Sequence, residues 1–179
     1  FALSAWLTLC MLNATVTFGA IPQKAGLVEP ESFALSYEAE VRFDRRAEKL
    51  SALLRKYNSP MLDEVDTFIE EADKNGWDWK FLPAIAGVES AFGKLLLDGS
   101  HNPFGWGGGY LYFESFEEGI QTVAEGLNQP VYRGGKTPEE IAPIYCPPNW
   151  RYWTNGVWQF MNELDQIPVD TAMQPQYLS

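Results

Sequence analysis

Glu89 is the residue in this chain best placed for acid chemistry. The apolar residues Leu82, Ile85, Ala86 and Phe92 recur at helical spacing, and Glu89 falls one turn beyond Ile85 on the same stripe, so the spacing points a carboxyl group inward. Gly93 is the expected left-handed stop of that helix. Glu89 then sits in the last turn, where the negative end of the helix dipole disfavours an ionised carboxylate. Burial acts in the same direction, and both raise the pKa. An acid that keeps its proton near neutral pH suits protonation of a leaving oxygen, as in cleavage of a glycosidic bond. The bland alternative is a buried acid paired with Lys94 or an arginine.

Two separated motifs bear on that choice. Gly87-Val88-Glu89-Ser90-Ala91-Phe92-Gly93-Lys94 is followed by Asn102-Pro103-Phe104-Gly105-Trp106-Gly107. In this order they closely resemble the catalytic region of bacterial glucosaminidase-like (endo-β-N-acetylglucosaminidase-like) wall hydrolases of the lysozyme superfamily. The resemblance covers about residues 59 to 164. It implies a mainly α fold, a lysozyme-like α+β domain with a small irregular or β lobe. It also implies that Glu89, with Ser90 beside it, supplies the general acid, and that the segment holding Asn102, Phe104, Gly105 and Trp106 lines a sugar cleft. A late tyrosine often faces the acid in such enzymes, and Tyr145 occupies the similar position, with Tyr152 and Trp153 as neighbouring candidates.

A second carboxylate on the far side of the sugar ring would set the stereochemistry, and Asp98 and Glu114 are the candidates. Each is more often a solvated surface acid. Substrates bearing an N-acetyl group can assist their own cleavage, so one glutamate can suffice. Tyr110, which follows the glycines Gly105 to Gly109, completes the expected substrate-binding set of Ser90, Asn102, Phe104, Gly105, Trp106, Tyr110, Glu114, Tyr152 and Trp153. The expected substrate is the β-1,4-linked glycan strand of peptidoglycan. The alternatives are a lytic transglycosylase giving 1,6-anhydro products and a non-catalytic glycan-binding module. The transglycosylase branch usually carries an Ala-Tyr-Asn-like motif where this chain has Tyr145-Cys146-Pro147-Pro148.

Composition narrows the partners. A formal charge of −11 and a pI near 4.5 argue against nucleic acid, which needs a basic patch to displace counterions. Aromatics are 15% of the residues and seven are Trp, and flat rings suit the apolar faces of sugars. Trp77, Trp79 and Trp158 read instead as core or staple residues. Cys10 and Cys146 form no CxxC pair, and His101 is the sole histidine, so neither a disulfide framework nor a metal or other cofactor is expected.

The elements that must hold the acid follow from periodicity and caps. Residues 1–20 are apolar and read as a secretory signal or a membrane anchor, which predicts an extracellular or surface location. Residues 21–35 read as a linker, and 36–58 as an amphipathic helix with Phe43, Ala47, Leu50, Leu54 and Tyr57 on one face, packing on its own domain. The catalytic domain spans 59–167. Ser59-Pro60 is the expected start of a helix that buries Leu62, Val65, Ile69 and Ala72 and stops at Gly76. Asp78 is the expected cap of the helix carrying Glu89. Residues 94–113 predict a small hairpin or irregular lobe. Ser115 with Glu118, and Thr137 with Glu140, are capping boxes for two further helices, the second short or bent because of Pro143. Asn149 opens a last helix with Trp153, Val157, Phe160, Met161 and Leu164 inward, and 168–179 form a tail.

Overall fold

The computed structural model describes residues 44–169. The predicted signal or anchor (1–20), the linker (21–35), the first part of the amphipathic helix and most of the tail lie outside the described residues. The chain folds here into α1 Arg45–Lys56, α2 Val65–Asn75, α3 Phe81–Ser90, α4 Phe116–Gly126, α5 Pro138–Tyr145 and α6 Trp150–Gln166. Short 3₁₀ turns stand at Leu62–Glu64, Trp106–Gly109, Pro130–Tyr132 and Pro147–Asn149. The mainly α expectation holds. Among the described residues no strand forms, and no helix is long and apolar enough to cross a membrane.

The absence of a strand corrects the β part of the predicted lobe, and the reason is local. Gly105, Gly107, Gly108 and Gly109 all take positive φ, which curls the chain instead of extending it. Asn102 then takes the backbone partners a ladder would need. Its amide donates to the carbonyls of Trp106 and Leu111 at 2.9 and 3.0 Å, and its oxygen accepts the Trp106 N–H at 3.0 Å.

Helix α3 is the centre of the packing, with every residue from Phe81 to Gly87 buried. It lies against α6, and two glycines permit the close approach. A side-chain carbon at Gly87 would come within 2.8 Å of the Phe160 ring, and one at Gly156 within 3.0 Å of Val88. Asp78 accepts the Lys80 N–H at 3.0 Å just ahead of α3.

Helix α1 belongs to the same compact unit as the predicted catalytic domain. Asp44 caps it by accepting the Arg46 N–H at 2.9 Å, and Leu50, Leu53 and Leu54 are wholly buried. Arg46 grips Asp73 of α2, which holds that carboxyl below its usual range, while Lys56 and Tyr57 both bind Glu163 of α6. Truncating one of these leucines to Ala should cost about 2–5 kcal/mol.

Two predicted boundaries move. Ser59 does not open a helix, because its hydroxyl accepts the Met61 N–H and donates to the Phe92 carbonyl, and a 3₁₀ turn intervenes before α2 starts at Val65. Gly93 is not the first left-handed residue after α3. Ala91 takes that role at φ 52°, and Phe92 and Gly93 continue it at 60° and 78°.

Candidate functional site

The end of α3 is held in an unusual backbone state. Ala91 and Phe92 are non-glycine residues in the left-handed region, which costs on the order of 1–2 kcal/mol each. Packing offsets this cost. The Phe92 ring is buried against Tyr57 and Phe160, with centroids 4.5 and 4.9 Å away. Ser90 closes the turn by accepting the Gly93 N–H at 2.9 Å and reaches the Pro103 carbonyl at 2.8 Å. The two sequence motifs therefore meet through one buried hydroxyl.

Glu89 lies at this junction, partly exposed. Among the described residues it has no ion pair, and Lys94, the alternative partner, is exposed and unbonded to it. Its Oε1 accepts the indole N–H of Trp153 at 2.6 Å. Its Oε2 faces Gly105, where a side-chain carbon would stand only 3.1 Å away. Burial pushes the Glu89 pKa up, and the Trp153 hydrogen bond offsets part of that rise. No second carboxylate contributes to the shift.

Tyr145 lies between Trp106 and Trp153, with centroids 5.9 and 5.1 Å away. Its hydroxyl donates to the Phe104 carbonyl. Burial, and then the charge of Glu89, push the phenol well above its usual range, so Tyr145 is neutral. The Tyr145 donor is thus engaged with backbone, on the Phe104–Gly105 peptide that lies beside Glu89.

The remaining predicted residues divide by burial. Ser90, Asn102, Phe104 and Trp153 are 2%, 4%, 0% and 2% exposed, so their side chains position the loop and the acid and do not meet solvent. Trp106 is half-buried, its ring stacked on Tyr132 at 6.3 Å and set against Gly126. Gly105 offers only backbone. Tyr110 and Tyr152 are 82% and 80% exposed and free to stack on a ligand. Glu114 and Asp98 are exposed, and neither hydrogen-bonds to Glu89 or its partners, while the Glu114 N–H is taken by Glu118.

No family model and no curated protein matches this chain. Among the described residues no group of His, Cys, Asp or Glu is arranged to hold a metal. A concavity of about 500 Å³ adjoins the aromatic cluster and is lined by Tyr132, Arg133, Glu139, Pro143 and Ile144 among others, without Glu89. Tyr132, stacked on Trp106, is a neighbour of the cluster that the sequence does not point to. It lies in a 3₁₀ turn after Pro130, where no helical period marks an inward side. The cluster sets one carboxyl between the Trp153 indole N–H, on Oε1, and the Gly105 backbone, beside Oε2.

Proposed function

We propose that this chain is a peptidoglycan glycan-strand hydrolase of lysozyme-like architecture, with Glu89 as the general acid that breaks a β-1,4 glycosidic bond, acting extracellularly or at the cell surface. One observation carries the reading: Glu89 is a partly exposed carboxyl without a cationic partner among the described residues, and burial raises its pKa. Such a group holds a proton that an ordinary surface carboxyl has lost. The proton passes to the bridging oxygen, the C1–O bond breaks with its electron pair on that oxygen, and Glu89 is left as carboxylate. With no second carboxylate in the cluster, the acetamido oxygen of the substrate attacks C1, and water, deprotonated by Glu89, then opens that intermediate. Tyr110 and Tyr152 are suited to stack on sugar rings.

The missing second acid equally favours a lytic transglycosylase, in which a hydroxyl of the sugar takes the place of water. Digesting purified sacculi and weighing the fragments separates the two: reducing ends support the hydrolase, 1,6-anhydro ends the transglycosylase. Glu89→Gln should abolish release while retaining sacculus binding. Unchanged release by this variant refutes the acid. Binding without any release by the natural chain points to a glycan-binding module.

A further inference from the structure

We infer that Trp153 is a positioning residue that selects which oxygen of Glu89 carries the transferable proton: Oε1 is kept as the acceptor of the indole N–H, and the proton sits on Oε2, beside Gly105. The inference rests on the reading of Glu89 as a proton donor.

An indole N–H can only donate. In the neutral acid one oxygen bears hydrogen and the other is carbonyl-like. A proton on Oε1 would oppose the indole hydrogen across a 2.6 Å gap, so the neutral acid must place it on Oε2. The indole cannot turn away, because Trp153 is 2% exposed and tilted against Tyr145 at 5.1 Å. Tyr145 in turn fixes the Phe104 carbonyl, and Ser90 fixes that of Pro103. One packed chain of residues thus sets the indole on one side of the carboxyl and the Gly105 backbone on the other. Gly105, at φ 61°, leaves Oε2 the space a side chain would take. When the Oε2–H bond breaks and the proton moves to the leaving oxygen, the indole bond becomes charge-assisted and strengthens, so Trp153 favours the ionised product of the transfer.

The test is an NMR titration of the full chain, following the Glu89 side-chain carboxyl carbon and the Trp153 indole N–H. The indole proton should move downfield as pH rises, with the same midpoint as the Glu89 carboxyl. In Trp153→Phe, which keeps a ring against Tyr145, that midpoint should rise. On sacculi the alkaline limb of kcat/KM should rise with it, while plateau kcat falls about tenfold for the lost bond to a charged group. An indole signal indifferent to the Glu89 titration overturns the inference, as does a midpoint that stays or falls in Trp153→Phe. A natural chain that cotitrates as described but cleaves no glycan keeps the oxygen assignment and refutes the hydrolase. A chain that cleaves without cotitration does the reverse.

Discussion

Glu71 and Glu89 are both glutamates near the ends of helices, both on faces turned toward the core, and the protein treats them oppositely. Glu71, 6% exposed in α2, is held by the Lys74 ammonium at 3.2 Å and the Asn75 amide at 2.9 Å. Glu89, less deeply buried in α3, receives among the described residues one neutral N–H and no cation. Burial of a carboxyl is thus met in two ways, by a nearby cation or by a neutral donor alone, and in the second case burial raises the pKa. The first ties the end of α2 together through its side chains. The second suits the acid role proposed for Glu89. The difference lies in the neighbours: α2 ends in Lys74-Asn75, whereas α3 ends in a strained left-handed turn packed on aromatic rings.

The contrast can be broken most severely at Glu89. Glu89→Gln should lower kcat on sacculi by about 10²–10⁴-fold, the usual worth of a general acid, with little change in binding. Glu71→Ala should do the converse. Kinetics should stay at the natural level, and urea unfolding should show a loss of about 1–2 kcal/mol for the severed bonds of a buried polar group. If Glu71→Ala instead removed activity with stability intact, the assignment of the two acids would be reversed.

A smaller effect is expected at Gly105. An alanine there meets Glu89 Oε2 at 3.1 Å and must hold a left-handed φ of 61°. About 1–2 kcal/mol of backbone strain should appear in the thermal midpoint, along with a loss of kcat larger than in Glu71→Ala. A kcat unchanged by this crowding would separate Oε2 from the chemistry.

The finest test is the pH dependence of stability. Because the folded pKa of Glu89 lies above its unfolded value, the folded state binds more protons between the two. The natural chain should therefore lose stability as pH rises from the ordinary glutamic-acid range through the folded pKa. Glu89→Gln lacks this term, so its stability relative to the natural chain should improve across that window and level off above it. A difference that stays flat with pH would mean that burial leaves this carboxyl unperturbed.

Short-range signals are legible in the amino-acid sequence alone. The Thr137–Glu140 capping box, the Gly76 stop and the short α5 with Pro143 inside it stand where their residue types place them. Ser115 also caps α4 as its spacing predicts, although Glu118 reaches back to the Glu114 N–H and not to that of Ser115. The lobe is not legible, because a run of glycines permits several backbones and only the buried Asn102 amide selects one. Ser90, Asn102 and Phe104 are expected from their motifs to face a ligand, yet their partners lie in the neighbouring motif and the core, which no local period encodes.

The sequence by itself determined that an acid would close the inward stripe of a helix near a glycine-aromatic loop, since helical pitch and glycine conformation are properties of the local chain. Only the tertiary structure decided that this acid would stand without a cation among the described residues. The indole that bonds it, that of Trp153, comes from 64 residues away, and the balance between pairing and protonation depends on which side chains folding brings within a few ångströms.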